Sequence, residues 1–295
     1  MNKIPTNQPN FFIVGAPKSA TTNMSYYLIQ HPEIFMPEEL EPYYFARLDI
    51  PPNYQREIIS DKKKYLDLFE NTENKLHTGE SSPVYLYCPN SASEIKNNFP
   101  NSKIIISLRN PIEIVYSQYL SLQFMGFNQK LSFNEFIDHS EEKILKNEFF
   151  IDNILEAGFY SKHIKRFQSF FPDEQIKIII FEEYIKNPTL TINSILSFLG
   201  INKTIEFKPV SKNAYRIPQN SFSKIILNNS FIRKTSRKLI PSKTRSNIGE
   251  NFLVKESVRP EIHPSERERL RKIFQNDVDD LKQLLQLELP WPDFN

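Results

Sequence analysis

The chain has 295 residues, 39% of them hydrophobic, with 24 Phe and 13 Tyr, so it can bury a substantial core. Cys88 is its only cysteine, which excludes an intrachain disulfide. No apolar run precedes residue 11, so the expectation is a soluble cytoplasmic protein without signal peptide, membrane anchor or stable membrane insertion. Net charge is +2 but uneven: ten of the 37 basic residues lie between 207 and 249 without one Asp or Glu, leaving 27 basic against 35 acidic elsewhere, a net −8.

In chain order, the apolar run 11–15 predicts a strand that stops at Gly15. A lysine-bearing loop follows, then a helical pattern over 20–30. Segment 40–75 carries Tyr and Pro clusters and the run Lys62-Lys63-Lys64; a wall of a substrate cleft and a surface excursion fit it equally. Runs 76–80, 103–108 and 175–181 read as further strands, the last two β-branched enough to be buried on both faces. Helical patterns cover 90–98, 111–124, 132–146, 152–170, 188–199 and 265–287, with Gly200 ending the sixth of these seven helices as a C′ residue. The alternation predicts an α/β fold, a central mostly parallel sheet flanked by helices in a P-loop-like nucleotide-binding architecture. No Ser/Gly-rich linker divides the chain, so a single domain over 1–295 is expected, with a basic flap-like insertion at about 207–250. That insertion reads either as a solvated face or as a flap over a multiply charged nucleotide or anionic acceptor. Phe222 and Phe231 lack the platform spacing of a single-strand binder, so no nucleic-acid partner is expected.

Ligands of a parallel sheet collect at the carboxyl ends of its strands, and three strands here end in informative residues. After Gly15 come Lys18, Ser19, Ala20, Thr21, Thr22 and Asn23. Free N–H groups at the start of the helix and the Lys18 ammonium converge there, a site suited to phosphate or sulfate. Lys18 follows Gly15 by three residues, which is not the Gly-Lys-Ser/Thr spacing of an NTPase P-loop. The strand 103–108 ends in Arg109-Asn110-Pro111, and Ser117 lies two helical turns on; an Arg fork and a hydroxyl make a second phosphate clamp. Taken alone, Arg109 would equally cap the sheet through a salt bridge, with Ser117 on the helix surface. Glu80 closes the third strand as a candidate general base, against the commoner fate of a surface or capping carboxylate. His77, three residues earlier, is the second candidate base, though strand alternation turns it to the other face. The five histidines are scattered and no cluster has metal-ligand spacing, so no metal is expected.

These motifs resemble those of sulfotransferases that use 3′-phosphoadenosine 5′-phosphosulfate (PAPS), above all the heparan-sulfate-type branch and its bacterial relatives. Gly15, Lys18, Thr21 and Thr22 match the phosphosulfate loop Gly-x-x-Lys-x-x-Thr-Thr. Leu108-Arg109-Asn110-Pro111 with Ser117 matches the 3′-phosphate motif. Glu80 takes the place of a catalytic Glu in a Glu-Lys-(Ser/Thr) context, with Ser81 where lysine is usual. The run 158–163 with Tyr160 resembles the helix that closes the nucleotide and acceptor pocket. The run 182–200 resembles the tail of the fold. Lys255 and the run 260–262 match a C-terminal phosphate-binding stretch whose Arg is replaced by Ser257, with Arg259 as the substitute. Glu41-Pro42-Tyr43-Tyr44-Phe45 matches a Lys-Glu-x-x-(Tyr/Phe)-Phe stretch in which Leu40 replaces the lysine.

The resemblance implies in-line transfer of the sulfuryl group of PAPS, leaving PAP, to a hydroxyl or amine of a small-molecule or glycan acceptor. Glu80 would take the acceptor's proton, with Lys18 opposite it at the leaving phosphate oxygen and the loop N–H groups holding the phosphosulfate. Two alternatives remain open on the residues alone: a P-loop-like nucleotide kinase, and a non-catalytic nucleotide- or polyanion-binding module resting on the basic segment.

Overall fold

The computed structural model describes residues 8–38, 41–50, 58–70, 72, 75–124, 131–146, 153–203, 205–210, 216–220, 223 and 254–295. Most of the basic segment at 207–250 therefore lies outside the described residues. Five strands form one parallel sheet in the order β2-β3-β1-β4-β5: β1 (Phe11–Gly15), β2 (Ile34–Phe35), β3 (His77–Ser81), β4 (Lys103–Leu108) and β5 (Ile176–Ile180). Because all five run the same way, the carboxyl ends of β1, β3 and β4 share one edge of the sheet.

Strand alternation sends successive side chains into two cores. Phe11, Ile13 and Ile105 pack with Met24 and Leu28 of α1 (Thr21–Leu28) and with Ile192 and Ile195 of the helix Pro188–Leu199. Phe12, Val14, Ile104 and Ile106 face a larger core with Phe45, Tyr65, Tyr85 and Phe167. Apolar contact on both faces accounts for the uninterrupted hydrophobic runs of β1 and β4. Gly15 is where the chain must pass close: a Cβ there would stand 2.5 Å from Leu86 Cβ, so only glycine lets the end of β1 lie against the turn 83–86.

Two elements differ from the sequence expectation. The pattern 152–170 is two helices, Ile154–Gly158 and Tyr160–Gln168, broken at Phe159. Asp277 explains the break, since its carboxylate accepts from Ser161 N and Oγ (3.2 and 2.6 Å) and so caps a second helix start. Segment 40–75 is not a surface excursion where it is described. It contributes the helix α2 (Lys62–Asp67), and Tyr43, Tyr44, Phe45, Tyr65 and Phe69 are all buried. The predicted C-terminal helix is present as Pro264–Leu285, and a two-stranded antiparallel ribbon pairs Arg216–Pro218 with Val254–Glu256. No helix among the described residues is long and apolar enough to cross a membrane.

Candidate active site

The loop between β1 and α1 is held by Ser107 of its neighbour β4 and by Arg109 just beyond it. Ala16 N donates to Ser107 O (2.7 Å), Ser107 Oγ donates to Ser19 O (2.8 Å), and Arg109 Nη1 donates to Lys18 O (2.9 Å). Lys18 and Ala20 both adopt left-handed backbone angles (φ 60° and 63°), which turn the chain sharply before α1. Such angles are costly for residues with a Cβ and persist where surrounding contacts hold them. Ala20 is the N-cap residue and supplies no side-chain cap; no acidic residue occupies the first turn. The first N–H groups of α1 thus keep their partial positive charge for an outside acceptor.

Three cations meet at this edge. Burial pulls the Lys18 ammonium below the usual lysine range; Glu41 raises it, and Arg109 and Arg259 lower it further. Arg109 lies over the Phe181 ring, 4.5 Å from its centroid, and 3.8 Å from Glu113. Its own carbonyl accepts from the fully buried Tyr160 hydroxyl (2.7 Å). Arg259 donates to Glu113 at 2.6 Å and lies over Tyr116, yet its Nε and Nη2 are buried without a hydrogen-bond partner among the described residues. Buried guanidinium N–H groups are expensive to leave unpaired, so a group whose charge acts on both Lys18 and Arg109 suits an anion with several oxygens. Glu113 also receives Arg267 (3.0 Å), which forks onto Asp293. Asn110 donates to Asp293 as well, so the C-terminal turn braces the Arg109-Asn110-Pro111 corner.

The expected site residues are only partly assembled. Lys18, Arg109 and Arg259 converge. Ser19 and Thr21 are buried in the loop and Thr22 is half-buried, while the Asn23 amide oxygen accepts from the Tyr184 hydroxyl. Ser117 is half-exposed on the helix Pro111–Phe124, next to the Tyr116 ring that Arg259 covers. Tyr160 supports Arg109 from below and is not itself at the surface of the site. Lys255 is exposed in the two-stranded ribbon opposite Ile217. His77 starts β3, at the end of the strand remote from the loop, and burial depresses its pKa.

Glu80 lies near the end of β3, as the sequence places it, and is enclosed there. It is 1% exposed, and both carboxylate oxygens are occupied: Tyr65 Oη donates to Oε2 (2.5 Å) and Ser82 Oγ to Oε1 (2.7 Å). Among the described residues, the Glu41 carboxylate is the negative charge that raises the Lys18 pKa.

Burial pushes the Glu80 pKa up to about 7, opposed by hydrogen bonds from Tyr65, Tyr85 and Ser82. A folded pKa above the unfolded one gives stability that is complete below the unfolded pKa and is lost as pH rises through the folded one. Relative to wild type, Glu80→Gln is therefore expected to gain ~2–3 kcal/mol between pH 5 and pH 8. Urea denaturation at both pH values checks this; a pH-independent difference contradicts it.

The sequence matches the family described as Sulfotransferase domain over residues 8–283. It is 33% identical over 143 residues to the membrane-associated sulfotransferase kil1 of Dictyostelium discoideum, a stretch covering 47% of this chain and 29% of that protein. It is 29% identical over 210 residues to the human bifunctional heparan sulfate N-deacetylase/N-sulfotransferase 2, covering 68% of this chain and 23% of that protein. The chain thus spans less than a third of the length of these two relatives. A solved sulfotransferase from Alicyclobacillus acidocaldarius superposes with a TM-score of 0.72 at 27% identity, covering 96% of this chain and 97% of that one. Mouse sulfotransferase SULT7A1, complexed with PAP, shares the fold with a TM-score of 0.50 at 16% identity, covering 94% and 87%. With a match that runs through almost all of its length, the chain belongs to the sulfotransferase domain family.

Proposed function

We propose that the chain transfers the sulfuryl group of PAPS to a hydroxyl or amine of a carbohydrate or small-molecule acceptor. The observation that carries this reading is the convergence of Lys18, Arg109 and the unpaired buried nitrogens of Arg259 on the uncapped start of α1. Mouse SULT7A1, which has this fold, is complexed with PAP, and the human relative is named for N-sulfation of heparan sulfate. The α1 N–H groups with Lys18 would hold the phosphosulfate, and Arg109 and Arg259 the remaining phosphate. PAPS supplies an activated sulfuryl group whose bond to a phosphate oxygen breaks as the acceptor's bond to sulfur forms. The protein's part is then charge and alignment. Lys18 faces the negative charge left on the phosphate oxygen, and a carboxylate takes the acceptor's proton. Glu80 lies near the end of β3 on the edge that carries the Lys18 loop, and burial pushes its pKa up to about 7, the range of a general base, so Glu80 is the base of this reading.

Radiolabelled PAPS offered with a panel of amino sugars, oligosaccharides and small alcohols tests the activity, and label in none of them counts against it. PAP titration by calorimetry tests the nucleotide site separately. Arg259→Gln removes a charged donor pair and is expected to weaken PAP binding roughly 10- to 100-fold, the worth of hydrogen bonds to a charged group. Unchanged affinity would remove Arg259 from the site.

A further inference from the structure

One carboxylate joins two arginines that differ in a single respect. Glu113, in the first turn of the helix Pro111–Phe124, accepts from Arg259 Nη1 at Oε2 (2.6 Å) and from Arg267 Nη1 at Oε1 (3.0 Å). Arg109 Nη2 stands 3.8 Å from the same Oε2. Burial works against the charged form of Glu113, but Arg259 and Arg267 outweigh it and hold its pKa below the usual carboxylate range. The remaining edge of a guanidinium carries Nε–H and an N–H of Nη2 side by side, a fork that fits two oxygens of one oxyanion. On Arg267 that fork is filled by Asp293, with Nε on Oδ1 (2.6 Å) and Nη2 on Oδ2 (2.9 Å). On Arg259 the same two nitrogens are buried and have no hydrogen-bond partner among the described residues. Arg267 thus displays the kind of group that the open fork of Arg259 is shaped to take.

We propose that Glu113 is a positioning residue: by taking Nη1 of Arg259 it fixes that guanidinium with its Nε–Nη2 fork open for a phosphate, and the C-terminal turn holds Glu113 in place through Arg267. The anchor is itself tied to the corner that carries Arg109. Asp293 Oδ2 accepts from Asn110 Nδ2 (2.7 Å), and Trp291 Nε1 and Asn110 N both donate to Glu182 (2.9 and 3.0 Å). This role rests on the reading of Arg259 as a phosphate ligand. It runs against the charge of Glu113, since a carboxylate repels a phosphate bound nearby.

That opposition gives the test its sign. In calorimetric titration of the full chain with PAP, Glu113→Ala is expected to weaken binding about tenfold, whereas loss of a negative charge alone would tighten it. Once Arg259→Gln is present there is no fork left to aim, so Glu113→Ala should then leave affinity unchanged or raise it. Equal or tighter binding in the wild-type background, or the same loss in both backgrounds, would overturn the proposal. Asp293→Asn also removes a negative charge, yet it breaks the Arg267 fork and is expected to repeat the loss on a smaller scale. It carries the same prediction if Glu113→Ala does not fold, and tighter binding there would overturn the part given to the C-terminal turn. The Arg259 Nε–Hε resonance, assigned by its absence from Arg259→Gln, supplies a readout without nucleotide. It should report an ordered side chain in wild type and a mobile one in Glu113→Ala; an equally ordered Arg259 in both refutes the role of Glu113. If wild-type protein binds no PAP, the reading of Arg259 as a phosphate ligand fails on its own, and the resonance alone decides whether Glu113 holds Arg259.

Discussion

Lys18→Ala is expected to lower PAPS turnover by ~10²–10³, the loss of about 2.7–4 kcal/mol that follows removal of one preorganised donor at a developing negative charge. The magnitude rests on burial. The ammonium is desolvated enough to have its pKa depressed, and two guanidinium groups press on it, so its field is little screened by water. The free protein bears that repulsion, and an anion at the start of α1 relieves it. Among the described residues, the hydrogen bonds that tie the loop to Ser107 and Arg109 run through Ala16 N, Ser19 O and Lys18 O and do not use the Lys18 side chain. The variant should therefore fold with a Tm at or above wild type while losing both turnover and PAP affinity. A loss smaller than tenfold with the loop intact would take Lys18 out of charge stabilisation.

The frame of the fold was legible because it rests on local signals. β1 and β4 are apolar on both faces, and their ends are marked by Gly15 and by the Arg109-Asn110-Pro111 corner, so their place on one sheet edge follows from topology. The cationic half of the site is legible for the same reason, since each of its residues sits just past a strand or in a recognisable stretch. The buried aromatic cluster of segment 40–75 was not. Tyr44 and Tyr65 stack, and Tyr65 bonds Glu80, across separations that no periodicity encodes. The break at Phe159 depends likewise on Asp277, more than a hundred residues away, and on the Phe274 ring that fills the space beside Gly158. Glu80 keeps the strand-end position read from the sequence, while its enclosure by Tyr65, Tyr85 and Ser82 is a packing feature that position alone does not give.

Glu80→Gln is the sharper test of mechanism. It is expected to lower kcat by ~10²–10⁴, the usual worth of a positioned general base. Gln keeps a carbonyl oxygen for one of the two hydroxyl donors, Tyr65 Oη or Ser82 Oγ, so the nucleotide site should keep its shape and PAP affinity should hold. Burial pushes the Glu80 pKa up to about 7, so the wild-type rate should rise with pH through that region as the carboxylate forms, and this limb should vanish in the variant. Stopped-flow release of PAP across the pH range reads both outcomes. Should Glu80→Gln keep more than a tenth of wild-type kcat with the limb in place, another group takes the proton.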